Sequence, residues 1–148
     1  MALVDPAAIS HWSALSYHGM TDQVPRRVFV LTTRRAAPRK RGAKSKDAAE
    51  GYPVAGTIYQ FVQVKPERFF GTDLVWVNES RVRITDPERT LLDGLMMPQY
   101  CGGFAEVLHA FERRAPKLDV DRIIRYALLL DAATVKRLGW ILAQQGIT

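Results

Sequence analysis

With 148 residues, 47% of them apolar, the chain has the size and composition of one ordinary globular domain with a real core. No apolar run approaches the roughly 18 residues that cross a bilayer. The start, Met1-Ala2-Leu3-Val4-Asp5-Pro6, lacks a secretion signal, and the single cysteine, Cys101, forbids an intrachain disulfide, so a cytoplasmic protein is expected. The formal charge of +6 is uneven: residues 34–46 hold seven cations (Arg34, Arg35, Arg39, Lys40, Arg41, Lys44 and Lys46) and no anion, and the rest of the chain is slightly acidic.

In chain order, residues 6–18 read as a first helix. Pro6 suits a first turn and Gly19 can close the far end in a left-handed conformation. Ile9, Trp12, Leu15 and Tyr17 would face inward. His11 and His18 are seven apart, with no Cys, Asp or Glu set beside them, and no metal is expected there. Residues 27–33, Arg-Val-Phe-Val-Leu-Thr-Thr, form a nearly continuous run rich in β-branched types, which suits a strand buried on both faces. A second strand is expected over 56–64, with Ile58, Val62 and Val64 on one face and Tyr59, Phe61 and Gln63 on the other.

The basic segment lies between these two strands. A connection of about 20 residues is long for a compact domain, and its apolar content is too low to offset ordering entropy. A mobile hairpin excursion over 34–53 is expected. Its cations can replace condensed counterions on nucleic acid, a salt-sensitive and largely sequence-blind mode of binding. With no aromatic residue in the run, base stacking is not expected. A merely solvated loop is the alternative.

Residues 66–70 suggest a short helical turn ending at Gly71. Residues 73–77 and 81–84 read as a hairpin across Asn78-Glu79, with Arg81 and Arg83 on the solvent face. The stretch Thr85-Asp86-Pro87-Glu88-Arg89-Thr90-Leu91-Leu92-Asp93-Gly94-Leu95 then carries the signals of a helix start. Thr85 and Asp86 are N-cap types, Pro87 sits where a missing N–H costs nothing, and Thr85 to Glu88 has capping-box spacing. Leu91, Leu92 and Leu95 make an apolar face. Arg89 opposes the helix dipole at this position. It is expected to pair with Asp93 one turn on, or to donate to backbone carbonyls of the neighbouring sheet.

Three more helices are expected after this one. Phe104, Val107, Leu108 and Phe111 mark the first. Val120, Ile123, Ile124, Ala127 and Leu128, behind a cap at Asp119, mark the second. Val135, Leu138, Ile141 and Leu142, behind a cap at Asp131, mark the third. The expected class is α+β: a small, largely antiparallel sheet, an N-terminal helix and a C-terminal cluster of about four helices, in one domain over 1–148.

The sequence holds no nucleophile elbow, Walker loop, dinucleotide fingerprint or His/Cys metal spacing. Glu88 and Asp93 are five apart and point about 140° apart on a helix. A two-metal site with Asp86 would need further carboxylates, such as Asp73 or Glu106, brought in by folding. No catalytic residue, metal or cofactor is expected, and a metal-dependent enzyme acting on nucleic acid stands last among the readings.

Three stretches together resemble the C-terminal domain of AbiEi-family antitoxins, from bacterial type IV toxin–antitoxin systems. They are Ser10-His11-Trp12-Ser13-Ala14-Leu15-Ser16-Tyr17-His18-Gly19, Ile84 to Leu95 (ITDPERTLLDGL), and Arg137-Leu138-Gly139-Trp140-Ile141-Leu142. Their order and spacing also fit, over nearly the whole chain. The resemblance implies a non-catalytic domain that counteracts a nucleotidyltransferase-type toxin. It also implies autoregulation through a winged helix, which would lie upstream of Ala2-Leu3-Val4 and is not expected within this chain. It marks His18, Gly19, Asp86, Pro87, Glu88, Arg89, Leu92 and Asp93 as motif residues serving fold and antitoxicity, and it assigns no role to the basic insertion. The alternative is a nucleic-acid-binding regulatory module acting on DNA through that insertion.

Overall fold

The computed structural model of the protein describes residues 6–33, 52–54 and 56–146. Strands come first: β1 (Ala7–Ile9), then helix α1 (His11–Tyr17), β2 (Arg27–Thr33), β3 (Tyr52–Val54), β4 (Thr57–Val64), β5 (Thr72–Val77) and β6 (Ser80–Thr85). Helices α2 (Pro87–Met96), α3 (Phe104–Arg114), α4 (Val120–Leu128) and α5 (Ala132–Gln144) follow, and single 3₁₀ turns lie at Pro66–Arg68, Pro98–Tyr100 and Ala115–Lys117. The segregation of strands and helices defines an α+β fold.

The six strands form one sheet in the order β3-β4-β2-β1-β6-β5. Its β3–β4, β2–β1 and β6–β5 joints are antiparallel, whereas β2–β4 and β1–β6 are parallel. Two expectations change here: Tyr17, expected to face inward, is about half exposed at the open end of α1, and the first helix starts later than residue 6. Residues 7–9 are a central strand rather than the first turn of a helix. Ala8 is fully buried there, and the helix begins only at His11. The strand forms because β2 and β6 flank it on both sides and satisfy its backbone. Three small apolar residues carry no periodicity that would announce it.

β2 and β4 pair in parallel, from Arg27↔Ile58 to Thr33↔Val64, and β3 lies on the far side of β4. The hairpin next to β4 is made with β3, where Gly56 takes a φ of +83°. The basic segment itself, with Arg34, Arg35, Arg39, Lys40, Arg41, Lys44 and Lys46, lies outside the described residues.

Other local readings match the structure. Phe29, Val30, Leu31, Thr32 and Thr33 are all buried, as a strand covered on both faces requires. The β5–β6 hairpin closes across Asn78-Glu79, and Asn78 has the positive φ of such a tight turn (57°). Gly19, at φ +71°, closes α1 with the Met20 N–H donating to the Leu15 carbonyl at 2.9 Å.

α2 is the hub of the helical half and packs against α1, α3, α4 and α5. Residues 88–95 are all buried. Leu91, Leu92 and Leu95 meet Leu15, Phe111, Ile123, Leu138 and Ile141 in the core. α3 approaches closely at Gly94, where a Cβ would sit 3.0 Å from a Val107 methyl. No helix among the described residues is long and apolar enough to cross a membrane.

Candidate functional site

A helix buried on all sides must find partners for its polar residues. In α2 those residues are Glu88, Arg89, Thr90 and Asp93, with Asp86 as N-cap. Asp86 Oδ1 accepts from the Arg89 backbone N–H at 2.8 Å, and Oδ2 accepts from the Tyr126 hydroxyl of α4 at 2.6 Å. Burial, together with the Asp86 carboxylate, pushes the Tyr126 hydroxyl well up, so it remains a donor. Pro87 occupies the first helical position.

Thr85 belongs to β6 and is not the cap; its hydroxyl meets that of Thr90 at 2.7 Å. Its carbonyl accepts from His18 Nε2 at 2.8 Å, which ties α1 to the strand–helix junction. Burial lowers the His18 pKa, and the ring donates as a neutral imidazole. Glu88 does not close a capping box. Its Oε2 accepts from the Asp119 backbone N–H at 3.3 Å, and its Oε1 lies 3.9 Å from Arg122 Nη1, so it ties α2 to the start of α4.

Arg89 has no solvent exposure. Its Nε donates to Asp93 Oδ1 at 2.9 Å and its Nη1 to the Arg68 carbonyl at 2.6 Å. Its guanidinium carbon lies 4.6 Å from the centre of the Phe70 ring. The expected pairing with Asp93 is therefore present, whereas the carbonyls that Arg89 reaches belong to the 3₁₀ turn and loop at Arg68 and Phe70 and not to the sheet. The 68–72 loop folds over Arg89 through Gly71, at φ +72°, where a Cβ would come within 2.8 Å of the Arg89 Cβ. Two buried atoms of the pair, Arg89 Nη2 and Asp93 Oδ2, make no hydrogen bond.

Arg89 and Asp93 line a cleft of about 330 Å³ between the sheet and α5, bounded also by His11, Leu31, Val62, Arg68, Met96 and Arg137. His11 is buried at φ +50°, with Nδ1 2.7 Å from the Ser10 hydroxyl. Burial lowers its pKa and keeps it neutral. The two histidines of α1 thus serve different partners.

Of the motif residues, His18, Asp86, Arg89 and Asp93 join one polar network through Thr85 and Thr90, Glu88 makes a separate tie to the start of α4, Leu92 lies in the core, and Gly19 and Pro87 shape helix ends. Asp73 and Glu106 stay outside it; Glu106 accepts from the Thr21 hydroxyl at 2.7 Å. No group of three or more His, Cys, Asp or Glu among the described residues is placed to hold a metal. Cys101 is buried, and burial pushes its thiol far above the range of a reactive cysteine. Sequence reasoning missed Tyr126, Gly71 and the Arg68 carbonyl. Tyr126 falls off the apolar face of α4 and carries no signal, but the Phe69-Phe70-Gly71 bend next to a buried arginine was a usable one.

Fold and site together define a class: an α+β domain built round a buried helix whose carboxylates are committed to caps, ties and one ion pair. Residues 7–144 match the family model of the AbiEi antitoxin C-terminal domain, and the chain belongs to that family. Its role is that of an antitoxin in a toxin–antitoxin system, in a family of domains that is generally non-catalytic. Comparison with curated proteins gives no match.

Proposed function

We propose that this domain counteracts a nucleotidyltransferase-type toxin of a type IV system in the bacterial cytoplasm, and that it does so without catalysing a reaction. Family membership over residues 7–144 carries this reading. The commitment of Asp86, Glu88 and Asp93 to structural partners supports it, because none is left poised as a general base. The helical half also offers contact surface: Ile124, Leu128, Leu129 and Trp140 of the α4–α5 region are exposed. The test is co-expression with the toxin encoded beside it, where relief of growth arrest is expected. Persistent arrest with this chain, and relief by a version carrying an upstream winged helix, would sink the proposal for this domain acting alone.

The seven-cation segment favours a second reading, DNA contact that contributes to autoregulation. In gel-shift titrations at two salt concentrations, neutralising Arg39, Lys40 and Arg41 should weaken binding and flatten the log–log salt slope by up to about 3. Unchanged binding would remove the segment from the functional account.

A further inference from the structure

The sheet ends in two unlike edges. β3 is three residues long with Pro53 in its middle, and a short strand with a proline gives an incoming strand little to pair with. β5, at the other edge, runs for six residues without a proline or lysine, and Asp73 is its only charge. Among the described residues no strand pairs with its outer side. Leu74 and Trp76 are 50% and 65% exposed there.

The hairpin register fixes which backbone groups point outward. The Asp86 N–H donates to the Gly71 carbonyl at 2.8 Å, and the pairing then runs from Thr72↔Thr85 to Val77↔Ser80. Bonded and non-bonded pairs alternate along an antiparallel ladder. Asp73, Val75 and Val77 therefore bond to β6, and the N–H and C=O groups of Leu74 and Trp76 face away from it. The side chains of these two residues share the face of Arg83 and Arg81. Arg81 stands over the Trp76 ring at 5.7 Å, and Arg83 donates to the Thr72 hydroxyl at 3.2 Å, so the exposed face is ordered before anything binds it.

We propose that β5 pairs with β5 of a second copy of this chain, antiparallel about a two-fold axis at Val75, joining two sheets into one. This register sets Leu74 and Trp76 of each copy against Trp76 and Leu74 of the other. Their outward groups then bond in two reciprocal pairs, about four hydrogen bonds in all. Val75 meets its own counterpart at a closely spaced position, on the face of the buried Val82. Asp73 falls opposite Val77, so no like charges meet across the seam. Centring the axis on Leu74 would set each Trp76 against Thr72, and centring it on Asp73 would bring two carboxylates together. An edge that matches itself in direction, bonding and side chains selects a second copy over an unrelated extended peptide. With few bonds and a narrow apolar strip, a Kd of about 1–100 µM is expected. The pairing is independent of which toxin the domain counteracts.

Sedimentation velocity of the full chain from about 5 to 500 µM tests this. The average mass should rise with concentration toward that of a dimer. Leu74→Pro removes an outward N–H and none that bonds to β6, so it should hold the protein monomeric while thermal melting stays cooperative. Leu74→Lys should do the same by placing charge on the edge. Val75→Cys brings two thiols together at the axis, and mild oxidation should link it into a covalent dimer, whereas Asp73→Cys should not link. The native Cys101 is buried and does not compete. A monomer at every concentration overturns the proposal, and an unrelated peptide as the occupant of this edge would give that result. A dimer that persists in either folded Leu74 variant, or equal crosslinking at residues 73 and 75, overturns it as well.

Discussion

α2 and α5 begin with the same device and end in opposite environments. Each has an aspartate N-cap whose Oδ1 accepts from the backbone N–H three residues on, Asp86 from Arg89 and Asp131 from Thr134. Asp86 is almost fully buried and takes a second bond from Tyr126, whereas Asp131 is 40% exposed at its side chain. α2 is covered on every side, while α5 shows Lys136, Arg137 and Trp140 to solvent. A cap that water can replace contributes modestly. A cap inside a closed network holds several elements at once, because an unpartnered polar group there has no water to turn to.

The largest expected effect is at the centre of α2. Arg89→Ala strands the Asp93 carboxylate and the carbonyls of residues 68 and 70, and should cost about 3–5 kcal/mol in urea unfolding. Full loss of toxin neutralisation with unchanged stability would instead assign Arg89 to a partner. Leu92→Ala, at a fully buried position, should cost about 2–5 kcal/mol, whereas Leu128→Ala on exposed α4 surface should stay within about 0.5 kcal/mol. Equal effects at the two leucines would erase the contrast between hub and periphery. Tyr126→Phe removes one bond to Asp86 and should cost about 1–3 kcal/mol. Asp131→Ala should cost about 1 kcal/mol, as exposed caps do.

The smallest effect is a pH dependence. His18 and His11 both have pKa values lowered below 6.5 by burial, so the unfolded chain binds protons more readily than the folded one. Their contribution is therefore complete above pH 6.5 and declines as the pH falls below it. Denaturant midpoints measured from pH 7.5 to 5.5 should drop, and His18→Gln, which keeps a donor for the Thr85 carbonyl, should reduce that drop. A midpoint that rises on acidification would contradict the neutral state assigned to both rings.

What was legible in the sequence was set by neighbours within about one turn of chain. The caps at Asp86, Asp119 and Asp131, the turn at Asn78-Glu79 and the left-handed Gly19 depend on local bonding, and each is found in the structure. The 3.6-residue periodicity correctly marks the buried positions Val107, Phe111, Ile123, Ala127, Leu138, Ile141 and Leu142, but Phe104, Ile124 and Leu128, read onto the same faces, are exposed, because periodicity gives the face and not how far the neighbouring elements cover it. The motif stretches also pointed to the antitoxin family, which the match over 7–144 establishes.

Tertiary structure decided the rest. Ala7–Ile9 is a strand because β2 and β6 flank it, and no property of three small residues states this. Thr85 and Asp86 are equal candidates for a cap until β6 claims Thr85. Glu88 turns to α4 instead of back to its own helix because that is where an unpaired N–H lies, at Asp119. The Arg89–Asp93 pair could be read from its i,i+4 spacing. Its burial, its loop carbonyls and the cleft beside it arise from segments as distant in the chain as His11 and Arg137, brought together by packing that no local pattern encodes.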